Sequence, residues 1–206
     1  MENPEQEIPQ IISTLTQTPP ALQSRTIDKY FTPNATFVHP FCRIQSFDNS
    51  RWVVKKIYQW YKIMSPRIEM RVHSVALDKP NLKLYVTMSQ VFTIWIIPFH
   101  IARVTLTTVL DLTTDPTGSS LPSGPKRGKE KYYISKQEDL YQTSEFVKFI
   151  LPHVGYWIVV GMHAFATVFC VLGVFLWAPF VFLEERGLLG GLLGRGNVAG
   201  SVRTYI

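Results

Sequence analysis

Cysteine, acidic residues and the short motifs of catalytic chemistry are all scarce in this chain, and each scarcity excludes something. Cys42 and Cys170 are the only cysteines among 206 residues. They stand in such different surroundings that neither a disulfide framework nor a thiolate metal site is expected, and a reducing compartment fits. No His, Cys, Asp and Glu cluster has metal-ligand spacing, no glycine-rich loop cradles a phosphate, and no nucleophile elbow is present. Neither a metal nor a cofactor is therefore expected. The first ten residues, MENPEQEIPQ, lack the charged and apolar regions of a secretory signal, so none is expected there.

Acidic residues number 15 against 21 Lys and Arg, giving a net charge of +6 and a pI near 9.3. The excess lies on a helix near residues 51–62 and in Lys126-Arg127-Gly-Lys129-Glu-Lys131. Nucleic acid is one partner for such a balance, but the chain also carries a membrane-competent segment. An anionic leaflet is the nearer candidate, solvated surface charge is the plain alternative, and no nucleic-acid partner is expected.

That segment is the uncharged run Val154–Leu183. Sixteen of its residues are Leu, Ile, Val or Phe. At the helical rise it reaches roughly 45 Å, more than the roughly 30 Å of a hydrocarbon core. A buried core helix is usually shorter and amphipathic, whereas this run is apolar all round. The chain thus reads as a domain over 1–150, a spanning or monotopic anchor over 151–186 and a glycine-rich tail over 187–206. An anchor so placed puts the domain in the cytosol, at the endoplasmic reticulum by default or at lipid droplets if the anchor is a hairpin. Lys136 and Lys148 on one side balance Arg186, Arg195 and Arg203 on the other, so charge does not set the orientation. Gly187–Gly194 holds two overlapping small-residue patterns of weak dimerising value. Asn34-Ala35-Thr36 is a glycosylation sequon that a cytosolic domain would leave unoccupied.

Along the domain, Pro4 to Leu15 reads as a helix with Ile8, Ile11, Ile12 and Leu15 on one stripe. A second short helix carries Leu22, Ile27, Tyr30 and Phe31 and closes at Thr32-Pro33-Asn34. Ala35 to Pro40 is a short strand with Phe37 and His39 on one face. Asp48 caps a third helix through Met64, whose buried face is Val53, Ile57, Trp60, Tyr61 and Met64. From Arg67 the period becomes two. Ile68, Met70, Val72, Ser74 and Ala76 share a face, and His73 points outward. Leu84, Val86, Met88, Gln90, Phe92 and Ile94 share another face, as do Val104, Leu106, Thr108 and Leu110. A flexible loop over Thr113–Lys129 precedes an edge-like strand, Lys131–Tyr141, and a short helix, Thr143–Leu151. The fold class is α+β: three helices packed on a strongly curved antiparallel sheet that leaves a cone-shaped cavity, followed by the apolar helix.

The stretches Tyr30-Phe31-Thr32-Pro33-Asn34-Ala35, His39-Pro40-Phe41-Cys42, Trp60 to Arg67 and Leu140-Tyr141-Gln142 carry a resemblance. The chain resembles the nuclear transport factor 2-like superfamily, and within it the fungal SigF-like branch, over nearly its whole length. The resemblance implies the cone fold, in a superfamily of isomerases, cyclases and dehydratases, binding modules and dimerising adaptors.

Such an enzyme needs a base in the cone and a donor opposite it. His39 is the candidate base, Tyr30, Tyr133 or Tyr141 the candidate donors, and Asp139 orients His39 if the last strand brings it inward. Met88, Gln90, Thr108, Trp60 and Tyr133 are the candidate ligand-lining residues. The three long strands place only Ser74, Gln90 and Thr108 inside as polar groups, with no buried carboxylate. The first expectation is therefore a membrane-anchored module binding a lipid, sterol or polyketide-like molecule. The second is a cofactor-free isomerase, cyclase or dehydratase, and the third a scaffold dimerising through Tyr85, Thr87, Val91 and Trp95.

Overall fold

A computed structural model describes residues 1–97, 99–118, 131–152 and 154–186. The basic segment 126–130, the tail 187–206 and most of the expected flexible loop lie outside them. Two compact units are present, Met1–Val159 and a second beginning at Val160.

The first unit opens with α1 (Pro4–Gln17), α2 (Pro20–Tyr30), β1 (Phe31–His39), β2 (Cys42–Ile44) and α3 (Ser50–Met64). The long strands β3 (Ile68–Asp78), β4 (Lys83–Phe92) and β5 (Ala102–Thr113) follow, then β6 (Tyr133–Tyr141) and α4 (Thr143–Ile150). The apolar run forms α5 (Gly155–Glu185). Among the described residues the six strands make one curved sheet in the order β2-β1-β6-β5-β4-β3, as the α+β reading expects. α1 packs on β3 and α3 on β1. Ile8, Leu15, Ile27, Phe31, Phe37, Leu84, Val86 and Leu110 form the shared core.

Proline opens both α1 and α2, where a missing N–H costs nothing, and the stripe Ile8, Ile11, Ile12 and Leu15 is buried. Phe31 begins β1 rather than ending α2, and the strand continues through Pro33. Proline is tolerated there because the β1–β6 register shifts between Phe31 and Thr36, so no ladder bond is demanded of it. The carbonyls freed by that shift find hydroxyls: Ser46 Oγ donates to Asn34 O at 2.8 Å, and Ser50 Oγ to Ala35 O at 2.7 Å. Ser50 is fully buried. Ser50→Ala strands the Ala35 carbonyl and is expected to cost about 1–3 kcal/mol, read as a lower urea midpoint at unchanged slope. The sequon side chain Asn34 is itself committed, donating from Nδ2 to Gly118 O at 3.2 Å.

Three expected details change. Asp48 does not cap α3; Asn49, in the left-handed region at φ 66°, precedes its first turn. The buried stripe of α3 is Ser50, Val54 and Tyr58, leaving Trp60 57% exposed. In β3 the pairing with β4 shifts between Val72 and Ser74. Beyond that irregularity Val75 and Leu77 pack on the core, while Ser74 and Ala76 are exposed. His73 is exposed as expected and meets Ser89 Oγ at 2.9 Å.

The largest revision concerns β6. Instead of forming an edge, it lies between β5, antiparallel, and β1, parallel, so the otherwise antiparallel sheet contains one parallel pair. Gln137, Asp139 and Tyr141 therefore share a face of an interior strand.

Candidate functional site

Strand period places the site. Met88 and Gln90 on β4, Leu106 and Thr108 on β5, Gln137, Asp139 and Tyr141 on β6, and Phe37 and His39 on β1 all line one inner cavity. α3 closes it with Tyr58 and Tyr61. Its volume is only about 50 Å³, space for one or two water-sized groups. A second, apolar compartment of about 220 Å³ adjoins it, lined by His39, Phe41, Trp60, Tyr61, Met64, Ser65, Phe92 and Ile94. His39, Tyr61 and Phe92 line both. The arrangement is an apolar vestibule leading past a His-Tyr pair to a small chamber whose wall mixes apolar side chains with one polar network.

The chamber is organised around Asp139. Thr108 Oγ1 donates to Asp139 Oδ1 at 2.7 Å, and Gln137 Nε2 to Oδ1 and Oδ2 at 3.1 and 3.3 Å. Tyr58 donates in turn to Gln137 Oε1 at 2.8 Å. Burial raises the Asp139 carboxyl to about 6, with Glu138 adding to the effect and the Thr108 and Gln137 bonds opposing it. Burial also holds the Tyr58 and Tyr141 hydroxyls far above their ordinary value, so both remain neutral donors. Gln23, almost fully buried, lines the same chamber. Its Oε1 has no partner among the described residues.

His39 occupies an aromatic enclosure. Its ring centroid lies 5.3 Å from Tyr61, 5.4 Å from Tyr141, 5.5 Å from Phe41 and 6.3 Å from Phe37. Burial lowers its pKa to about 4, so the ring is neutral at physiological pH. The Phe41 N–H donates to Nδ1 at 3.3 Å, which assigns the ring proton to Nε2. The Tyr61 hydroxyl then donates to the same Nδ1 at 3.1 Å, and Cys42 Sγ lies 3.2 Å from Tyr61 Oη. Burial, with smaller contributions from Cys42, Asp139 and Tyr141, keeps Tyr61 protonated. Both cysteines are free.

Among the residues proposed from sequence, His39, Asp139, Met88, Gln90 and Thr108 meet in the chamber, and Trp60 lines the vestibule. Asp139 does not orient His39; its bonds go to Thr108 and Gln137. Tyr30 and Tyr133 line a separate surface pocket with Met1, Glu2, Glu7, Lys29 and Lys131. Tyr30 ends α2, nine residues before His39, and neither Tyr30 nor Tyr133 lines the chamber or the vestibule. Tyr58 and Gln137 escaped notice. Alternation from Asp139 points to Gln137, whereas Tyr58 follows only once the phase of α3 is known.

Helices on a curved sheet around a cavity with a polar base define a protein of nuclear transport factor 2-like fold. The family model for the SigF NTF2-like domain matches residues 1–178, and the chain belongs to that family. None of the curated proteins compared matches it. Solved structures resemble the chain at low identity. An LEH-like epoxide hydrolase of M. tuberculosis is 11% identical, with 76% of this chain and 98% of that chain covered at a TM-score of 0.48. A protein of ketosteroid isomerase-like fold from Catenulispora acidiphila DSM 44928, in complex with trimethylamine, is 16% identical over 68% and 90%, at 0.46. An NTF2-like protein from Exiguobacterium sp. 255-15 is 9% identical over 66% and 96%, at 0.48.

Proposed function

We propose that this protein is a membrane-anchored binding protein for a hydrophobic small molecule with one polar end, drawn from lipids, sterols or polyketide-like compounds. The observation that carries the reading is the pairing of an apolar vestibule of about 220 Å³ with a chamber of about 50 Å³ whose mixed wall holds the Thr108, Asp139, Gln137 and Tyr58 network. The chamber is too small for a sterol nucleus and takes a hydroxyl, carbonyl or similar terminus, while the body of the ligand lies among Phe41, Trp60, Met64 and Phe92. Attachment rests on α5, whose segment Gly155–Leu183 has the length and mean hydropathy, 2.3, of a membrane span. We place the domain on the cytosolic side of the endoplasmic reticulum or a lipid droplet, and the chain in the fungal branch of its family on its motif residues. No cofactor enters this reading.

Native mass spectrometry of the full chain released from nanodiscs tests it. One small molecule per chain is expected on the wild type and is lost in Met88→Trp, which fills the chamber without adding charge. An unoccupied wild type that also fails to take up apolar probes, or equal occupancy in the variant, overturns it.

One observation favours a second reading, cofactor-free proton transfer as in an isomerase, cyclase or dehydratase. Asp139, raised to about 6, is a base poised near working pH, with Tyr58 held on the same network through Gln137. Burial of this carboxylate removes the objection that the inner face lacks one. Here Asp139, rather than His39, is the base, because His39 at about 4 is a weak proton acceptor. The recovered ligand should emerge rearranged or dehydrated from the wild type and unchanged from Asp139→Asn; equal turnover by both excludes the reading.

A further inference from the structure

The hairpin tip joining β4 to β5 turns its apolar residues outward. Phe99 is 92% exposed, Trp95 66%, and Ile96, Ile97 and Ile101 about half. The loop backbone is held by hydrogen bonds, and among the apolar side chains Trp95 is anchored by one of its own. Trp95 Nε1 donates to Ile63 O at 3.0 Å, Thr93 N to Ser65 Oγ at 3.1 Å, and His100 N to Ile97 O at 3.2 Å. Phe99 itself adopts φ 58°, a conformation unfavourable for a bulky residue. A folded loop that keeps large apolar groups in contact with water is arranged for a partner.

Topology says which partner. β6 runs antiparallel to β5, with Tyr141 opposite Leu106, so its last residue lies toward the tip end of the sheet. Glu145 Oε2 on α4 accepts the Thr105 N–H at 2.7 Å, and Phe146 meets Phe41 of the β1–β2 turn at 5.2 Å. Gly155 sits against Val147, so closely that a Cβ would lie 2.7 Å from the Val147 carbonyl oxygen. The chain therefore enters α5 from the same end that carries the tip. The vestibule lies there too, since Met64, Phe92 and Ile94 close α3 and β4 at that end.

We propose that the β4–β5 tip is a bilayer-docking surface: Trp95, Ile96, Ile97 and Phe99 seat in the interfacial layer of the membrane that holds α5. The inference rests on the membrane attachment proposed above and adds the route by which the site is filled. Trp95 suits the headgroup level and Phe99 and the isoleucines the acyl boundary below it. With the tip seated, the vestibule opens toward lipid, and its ligand enters along its apolar length without crossing water.

The test places an environment-sensitive NBD label on the full chain in vesicles of phosphatidylcholine and phosphatidylserine. Three single-cysteine positions are used in a Cys42→Ser, Cys170→Ser background: Phe99→Cys, Asn81→Cys in the β3–β4 turn at the far end of β4, and Gly173→Cys in α5. At Phe99 the label should be blue-shifted, quenched several-fold more by shallow 5-doxyl lipid than at Asn81, and protected from iodide. If Phe99 behaves like Asn81 while Gly173 is quenched by lipid, docking is overturned and attachment stands. If Gly173 is also open to iodide, both fail. Protection of Phe99 from iodide and doxyl lipid alike, with crosslinking between copies, gives the tip to a second chain and overturns the proposal.

Discussion

Phe37→Ala is expected to lower the unfolding free energy by about 3–5 kcal/mol, the usual cost of emptying a large buried aromatic site. Phe37 is 1% exposed, sits edge-to-face against Tyr58 at 5.8 Å and stacks on the His39 ring at 6.3 Å. It pairs with Ile44 on β2 and Gln137 on β6, so it joins the β1 hairpin to the interior strand that holds Asp139. At roughly 2–4 °C per kcal/mol for a chain of this size, the thermal midpoint should fall by about 6–20 °C. The emptied volume adjoins the chamber, so the variant should also admit a bulkier apolar probe than the wild type. Phe37→Leu refills much of the space and should lose less than half as much. A melt of Phe37→Ala within 2 °C of wild type would show that this core is not packed around Phe37.

The second large effect appears in the pH dependence of stability. Folded Asp139 binds its proton more tightly than the unfolded chain does, so its contribution to stability falls as pH rises from about 4 to about 6. His39 has the opposite sign: held neutral at about 4 against an ordinary 6.5, it contributes stability that is complete above 6.5 and is lost as pH falls toward 4. Each slope carries at most on the order of 3 kcal/mol, and across this window they nearly cancel. Wild type should therefore look flat between pH 4 and 6.5, and single variants should expose the hidden slopes. Asp139→Asn should gain stability with rising pH and exceed wild type at pH 8; His39→Gln should lose stability with rising pH. Urea unfolding of the three chains at pH 4 through 8 reads this directly. Parallel curves for all three would mean that neither group is displaced from its ordinary value.

Sequence reading succeeded where a period could run uninterrupted. Leu84, Val86, Met88 and Gln90 on β4 and Val104, Leu106, Thr108 and Leu110 on β5 alternate without a break, and all are buried as expected. It failed where the period slips without a local mark. The irregularity near His73 reverses the faces of Ser74 and Ala76, and no proline or glycine announces it. The α3 face is misread by about one residue, with Val54 and Tyr58 buried in place of Val53 and Ile57, because Trp60 looks like core and lies outside. The interior position of β6 could not be seen at all. It depends on Val38 pairing with Glu138, a hundred residues away, and parallel partners of that kind leave no turn between them. The true character of Asp139 was hidden with it.

That pairing also sets an order of events during synthesis. β1 and β5 are made early and each waits with an open edge for β6, the last strand of the domain, to be inserted between them. Until then the nascent chain presents two unpaired ladders, a state prone to joining other chains. Only thirteen residues separate Tyr141 from Gly155, where the apolar helix begins. At roughly 5–20 residues per second, closure of the sheet and emergence of that helix fall within seconds of each other. A domain closed by its last strand thus completes itself almost at the moment its membrane-competent segment appears, so that maturation of the site and delivery to lipid share one clock.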